Sequence, residues 1–595
     1  MNGWRTKWCA DGVTFPREPL CAGRAKLVRV IVSAGLAAAL AGNFAGCAGP
    51  LEDRDARVSP QRLRQAQALN LDDFRKREAA GVITSELPGP TTPAAEMPMK
   101  RPPVMAGEVM EVSLEQVRAS ALANNLSLKV EVVSPSIVRE RENAERAKFE
   151  AVFRPSVNLA SQNNPSFNSA SVSDQQRASV GGGVDIPLRS GGRAIVDLAV
   201  VRSLTQSQFV TESASWSTDA QFSITQPLLR GGGEVYTTAS IRIAAYQTEI
   251  AEAGTRLAVI NTLAQADRAY WLLYAVRREL DVRQQQYELA VTQWEQAKRK
   301  VEAGSTPEIE VTRAESGIAS RLEAIVVAEA NVLLQQRELK RLANIDGLDV
   351  ATATQIKPMK PPEPVQLSLD TDMLQIAALL ARDELLQVEL QILADAVGID
   401  FSRNNALPQI DLIASAGLGG LGRNLPSAGD DVISTRFKTY QFGLQGQIPI
   451  GNQAGESRLR ESILIRLQRI ASKANREQTV RKEVLDAVDR IRSSWQRILA
   501  ARQASILAER TLRGEQRQFE AGSRTSTDVL DAAARLADAQ SAEIRALADY
   551  ENAKVDLAAA TGTVLGSAGV QWQAVPAPKT AEEFKPSPHF NEVTR

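Results

Sequence analysis

Apolar residues recur along much of the chain at alternating spacings of four and three. Val484, Val488, Ile491, Trp495 and Ile498 form one such stripe, and this spacing predicts helices packed as a coiled coil. Ile318, Leu322, Ile325, Val332 and Leu339 fall in the same frame, and Tyr287, Val291, Trp294 and Val301 begin a third stripe. No proline interrupts Gly233 to Glu302 or Ala454 to Glu520. As one helix, the roughly 70 residues of the first run would extend about 105 Å, far beyond the three turns usual in globular domains. A tubular or fibrous architecture is therefore expected. Between the helical stretches lie alternating, proline-bounded segments at Pro155 to Ser161 and Pro408 to Ser415, with Gln226-Pro227-Leu228 and Gln447-Ile448-Pro449-Ile450 closing similar segments. Their period of two predicts strands. Ser179 to Leu188, Ser190-Gly191-Gly192 and Ala194 to Val201 read as an additional hairpin, whereas the second half has only Gly417 to Tyr440 between its strands.

These patterns occur twice. Val301-Glu302-Ala303-Gly304-Ser305 is echoed 218 residues later by Phe519-Glu520-Ala521-Gly522-Ser523, each followed by a second helical pattern. A glycine there ends one helix in the left-handed conformation, and the Ser/Thr residues after it are expected to cap the next. Each copy reads as helix, strands, long helix, turn and helix.

The chain ends differ from this body. A basic stretch ending at Arg24, Lys26 and Arg29 precedes the apolar run Val30 to Leu40 and then Ala45-Gly46-Cys47, the order of a secretory signal. Residues 1–46 are expected to be that signal, with the start of translation downstream of Met1. Phe44-Ala45-Gly46-Cys47 resembles a lipobox with Phe in place of the usual aliphatic residue, so Cys47 is either the lipidated first residue or a thiol left beside an ordinary cleavage site. Residues 47–110 read as a tether with a short helix near Pro60 to Ala80, residues 346–368 as a linker, and residues 564–595 as a Pro-rich tail.

Composition removes most chemistry. The 70 Lys and Arg balance the 70 Asp and Glu, so no basic field advertises nucleic acid. The single histidine, His589, lies in the tail, and the three cysteines, Cys9, Cys21 and Cys47, lie in the first 47 residues. Triad and zinc chemistry need imidazole or thiolate groups that the body lacks. No catalytic, cofactor or metal site is expected. Carboxylates on long amphipathic helices read as solvated faces.

In order along the chain, Ser113-Leu114-Glu115 with Ala121-Leu122-Ala123-Asn124-Asn125, then Gln226-Pro227-Leu228-Leu229-Arg230-Gly231-Gly232, then Phe519 to Ser523 through Asp528-Val529-Leu530-Asp531 resemble the TolC-like outer-membrane efflux protein (outer membrane factor) family. The resemblance covers repeats at residues 111–345 and 369–563. It implies a mainly α fold with β: tandem-duplicated long-helix hairpins forming a trimeric α-helical tube, with strands contributing to a shared transmembrane β-barrel. It further implies a passive outer-membrane duct, a homotrimer in outer-membrane lipid that reaches across the periplasm. A periplasmic adaptor would join it to an inner-membrane transporter. A periplasm-spanning structural lipoprotein that conducts nothing is the alternative. The standard arrangement has four membrane strands per protomer, so the extra hairpin either enlarges the barrel or forms a flap.

The same resemblance assigns residues. Gly304 and Ser305 at one tip, with Thr306, and Gly522 and Ser523 at the other, with Arg524, are expected to dock the adaptor. Arg524, Asp528, Asp531 and Glu310 match the constriction of the periplasmic gate. Asp528 and Asp531 share a helix face, and three copies would place six such carboxylates around one axis, favouring cations. Arg524 would latch to a neighbouring helix, with Arg513 and Arg517 as competing candidates.

Overall fold

A strand and a capped helix open the structured part of the chain. The computed structural model describes residues 107–163, 174–207 and 210–571. The signal, Cys47, the helix expected near Pro60 to Ala80, and the tail beyond residue 571 lie outside the described residues. Strand β1 (Val109–Val112) leads to Ser113, whose hydroxyl accepts from the Gln116 N–H while the Gln116 side chain accepts from the Ser113 N–H. This capping box starts α1 (Leu114–Asn124), and after the single residue Asn125 comes α2 (Leu126–Arg146). Four strands follow: β2 (Val152–Asn163), β3 (Asp174–Pro187), β4 (Arg193–Ser207) and β5 (Val210–Pro227). A helical turn, α3 (Glu234–Thr237), precedes the 64-residue α4 (Ala239–Glu302), which turns into α5 (Ile309–Ala343). The second copy comprises β6 (Gln355–Pro358), α6 (Thr371–Ala381), α7 (Asp383–Asn405), β7 (Gln409–Gly422), α8 (Leu425–Ile433), β8 (Phe437–Gln447), the 68-residue α9 (Gln453–Glu520) and α10 (Ser526–Thr561). A last turn, α11 (Val564–Ser567), follows.

At 1.5 Å per residue α4 and α9 are about 96 and about 102 Å long. Their apolar stripes bury as expected: Val484, Val488, Ile491 and Ile498 pack with Tyr550 and Leu557 of α10, and Val332 and Leu339 of α5 pack with Leu273 and Tyr270 of α4. Ala532, Ala533 and Ala537 are buried along α10, small enough for close helix approach. Two expectations at the boundaries change. The segment read as a linker contributes β6, which pairs in parallel with β1 and buries Ile356. Val564, placed in the tail, is 2% exposed and packs with Leu128, Ile260 and Leu263, because α11 folds back on the helices.

The additional hairpin is part of the main sheet. Six strands run in the order β2-β3-β4-β5-β7-β8, every neighbour antiparallel. The registers carry one face across all six: Phe153, Val157 and Leu159 of β2; Val184 and Val180 of β3; Val196, Leu198 and Val200 of β4; Phe222, Ala220 and Trp216 of β5; Leu412, Ala414 and Leu418 of β7; Leu444, Phe442 and Tyr440 of β8. The other face carries Arg154, Ser156 and Asn158, then Asp185 and Ser179, then Arg193 and Asp197, then Ser223, Gln221 and Asp219, then Asp411 and Ser415, then Gln445 and Gln441, interrupted by Ile195, Val201, Ile413, Leu421 and Phe437, while Arg202, Thr218 and Lys438 interrupt the apolar face. Asp185 pairs with Arg154 and, at 3.5 Å, with Arg193, joining three strands on this polar face. Leu159, Phe442 and Leu444 are 74%, 78% and 71% exposed. No core covers the apolar face at these edge strands, whereas over the far ends of β5 and β7 helix α8 lies on it, with Ser427 and Ala428 against Gly422 and Gly420.

Candidate functional site

The two tip turns are built alike. Gly304 (φ +74°) and Gly522 (φ +79°) adopt the left-handed conformation that stops a helix. The Gly304 and Ser305 N–H groups donate to the carbonyls of Val301 and Lys300 at 2.8 and 2.9 Å, and those of Gly522 and Ser523 to Phe519 and Gln518 at 3.1 and 2.9 Å. The serine hydroxyls donate to the same carbonyls, Ser305 to Lys300 at 2.8 Å and Ser523 to Gln518 at 3.0 Å. They therefore close the preceding helix instead of capping the next, as the sequence reading expected. Only the second tip caps as expected, through Thr525, which follows Arg524. Helix α5 starts after Glu308 without a side-chain cap, and Pro307 stands two residues ahead of it.

The structure brings the two tips together. Lys300 of α4 places its ammonium 3.7 Å from the centre of the Phe519 ring and donates to the Phe519 carbonyl at 3.2 Å. Glu310 of α5 accepts from the buried Ser526 hydroxyl at 2.5 Å and from Arg313 at 2.6 Å. The Ser526 hydroxyl is the main reason the Glu310 carboxyl ionises below its ordinary range, with Arg313 adding to it. Arg321 of α5 donates to the Leu530 carbonyl of α10 at 3.0 Å. Burial pushes its guanidinium down, and nearby Asp531 opposes that. Lys300, Ser526 and Arg321 were not singled out in the sequence, and each bridges the first repeat to the second.

The expected gate residues divide. Asp528 accepts from the Thr525 N–H at 3.0 Å and the Thr525 hydroxyl at 2.8 Å, completing a capping box. Those two bonds hold its carboxyl below the ordinary range, the backbone N–H first. Asp531, one turn on, is exposed. Arg524 pairs with Glu515 of the preceding helix at 3.3 Å and donates to Gln518 at 3.1 Å. Within this chain its partner is thus the other arm of its own hairpin. Arg513 pairs with Glu509, and Arg517 donates to the Arg513 carbonyl at 3.3 Å, so both competitors are held within α9.

At the opposite end of the helices, the strand-to-helix junction holds the turn between β3 and β4. The Gly233 N–H donates to the Ser190 carbonyl at 2.9 Å, Gln226 reaches the Ser190 hydroxyl and carbonyl at 2.7 and 3.0 Å, and Thr237 donates to the Arg189 carbonyl at 2.5 Å. Gly191 (φ +90°) permits this: a Cβ there would run into the Gly231 carbonyl.

Midway along the helices each copy breaks its short helix at one residue. Asn125 separates α1 from α2 and donates to the Leu342 carbonyl at 2.8 Å. Arg382 separates α6 from α7 and donates to the Ala560 carbonyl at 3.1 Å. Leu342 and Ala560 are 218 residues apart, so unlike side chains make equivalent contacts. Arg382 also pairs with Glu384 at 2.9 Å and with Glu483 at 2.7 Å.

The sequence profile of the outer membrane efflux protein family matches residues 196–344 and 375–563, more than half of the chain. The chain belongs to the outer membrane efflux protein family. The outer membrane efflux protein BepC of Brucella suis is 24% identical over 348 residues, 56% of this chain and 68% of BepC. The outer-membrane channel CmeC of Campylobacter jejuni superposes with a TM-score of 0.58 at 15% identity, covering 76% of this chain and 85% of CmeC. The Vibrio cholerae outer membrane protein VceC gives 0.56 at 15% identity, covering 76% and 96%. The fold is the expected efflux-protein one, helical tube elements joined to strands. The family match opens at residue 196, inside β4, and so leaves β2 and β3 outside it. Among the described residues no helix is long and apolar enough to cross a membrane, and no cluster of potential metal ligands occurs.

Proposed function

We propose that this efflux protein is the passive outer-membrane duct of a tripartite export system, working as a homotrimer. One observation carries the reading. A sheet with one apolar and one polar face continues, in the same chain, into helices about 100 Å long. In lipid a sheet satisfies its backbone only when it closes, with its apolar side toward the acyl chains and its polar side around water. The long helices then extend the lumen into the periplasm. Energy comes from an inner-membrane transporter, and a periplasmic adaptor engages the tips around Gly304, Ser305, Gly522 and Ser523. Arg524, Asp528, Asp531 and Glu310 surround the periplasmic entrance. An acyl group on Cys47 anchors the N-terminus to the inner leaflet of the outer membrane. The likeness to BepC, an efflux protein, and to CmeC, an outer-membrane channel, supports the same reading.

Planar-bilayer recording tests it. Purified trimers are expected to give discrete single-channel currents. A reconstituted trimer that conducts nothing would instead identify a structural scaffold.

A further inference from the structure

The family-standard barrel takes four strands from each protomer, whereas this chain presents six in one continuous sheet. We infer that the duct closes as an eighteen-stranded barrel, in which β8 of each copy pairs antiparallel with β2 of the next. The inference rests on the homotrimeric duct proposed above.

Four observations lead to it. First, β3 and β4 continue both faces of the sheet, placing Val184, Val180, Val196 and Leu198 in the apolar band and Asp185 and Asp197 in the polar lining. A flap in water would have no need of that division. Second, the turn of the additional hairpin is hydrogen-bonded to the strand-to-helix junction through Ser190, Gln226 and Gly233, which holds these strands in register with the helices below. Third, the open edges match. Strand directions alternate through the six, so β2 and β8 run antiparallel to one another and turn Val157 and Leu159, and Phe442 and Leu444, to the same side. An unpaired edge is not tolerated in lipid.

Fourth, the diameters agree. At each level four helical segments run side by side in the chain: α2, α4, α7 and α9 near the sheet, and α4, α5, α9 and α10 near the tips. Three copies give twelve helices, which at about 9 to 10 Å spacing ring a tube about 35 to 39 Å across between helix axes. Eighteen strands about 4.8 Å apart and tilted about 40° close at a backbone diameter of about 36 Å, whereas twelve close at about 24 Å. The wider barrel continues the tube without a step. Its lumen then imposes no narrowing at the membrane, and size selection falls to the tips.

Crosslinking across the seam tests the pairing. In a Cys47→Ala background, Ser156→Cys or Asn158→Cys of β2 would be combined in turn with Thr439→Cys, Gln441→Cys and Gly443→Cys of β8. A parallel set would pair Ala199→Cys of β4 with the same β8 positions. A short bifunctional thiol reagent is expected to produce covalent dimers and trimers from the β2–β8 set and none from the β4–β8 set. The reverse pattern would mean that β2 and β3 leave the wall and would overturn the inference while leaving a conducting trimer intact. A protein that is monomeric, without current and without crosslinks in either set would overturn the duct reading and the inference together. Because a β3–β4 flap would leave the β2–β8 seam in place, electron cryo-microscopy of the unmodified trimer completes the test by strand count: eighteen upholds the inference and twelve overturns it, also should the variants fail to insert.

Discussion

Glu310 and Ser526, 216 residues apart, share a 2.5 Å hydrogen bond that ties the tip of the first repeat to that of the second. A hydroxyl bonded to a buried carboxylate contributes about 1.5 to 3 kcal/mol, so Ser526→Ala should loosen this end of the molecule by about that amount. Amide hydrogen exchange in the first turns of α5 and α10 is expected to accelerate correspondingly, with the helix middles unchanged. The pH dependence has a definite sign. Because Glu310 ionises more easily folded than unfolded, the contribution is complete above the ordinary carboxylate range and is lost as pH falls through the lower folded value. Protection of the tip amides, taken relative to their intrinsic exchange rate at each pH, should therefore fall on acidification in the parent and less so in Glu310→Gln. Equal acid response in the two proteins would show that another group controls the tip.

The gate is expected to read out in ion selectivity. Asp528 is engaged by Thr525, while Asp531 stands exposed one turn further on. Asp531→Asn should lower cation preference in planar bilayers without disturbing the helix start, and Asp528→Asn with Asp531→Asn should lower it further. Unchanged reversal potentials in the double variant would place the filter elsewhere.

Arg524→Ala removes the 3.3 Å pair with Glu515, whose arginine side chain is 48% exposed. A pair so exposed is worth under about 1 kcal/mol, so stability should hardly change. The open fraction of the channel is nevertheless expected to rise. Identical gating in parent and variant would remove Arg524 from the latch.

At the tip glycines, a left-handed φ costs a non-glycine residue about 1 to 2 kcal/mol, and no atom stands within 4 Å of a Cβ at Gly304 or Gly522. Gly304→Trp with Gly522→Trp should therefore fold and project two large rings outward. Export and crosslinking to the adaptor are expected to fall at unchanged protein level. Full export by this variant would exclude the tips as the docking surface.

Cys47→Ala should abolish labelling by a palmitate analogue while the protein stays in the outer-membrane fraction, because a single acyl chain binds only marginally beside an inserted barrel. Persistent labelling of the variant would refute acylation at this cysteine.

What could be read in advance follows the range of the interactions. Spacings of three and four revealed the long helices, since each stripe needs only neighbours within one element. The offset of 218 exposed the duplication through Gly304 and Gly522. The strands were visible from alternation, but the position of β3 and β4 inside one sheet depends on pairing partners far apart in sequence. The breaks at Asn125 and Arg382 were hidden because helical periodicity continues on both sides of each. Lys300 with Phe519 and Glu310 with Ser526 escaped notice because neither pair joins duplicated positions. One signal was available: the spacing of Thr525 and Asp528 is close to that of a capping box, which would have given Asp528 a second role.

The paired helix breaks carry a consequence for how the tube yields. In the proposed trimer duplication gives six similar sectors, but only alternate ones hold the Arg382 cluster, while Asn125 fills the others with a neutral amide. Replacing Arg382 by glutamine would weaken the charged sectors alone, whereas salt screens so buried a group little. In such a variant the circumference behaves as an alternation of soft and stiff staves. Its dilation is then threefold, however nearly sixfold the backbone is at rest.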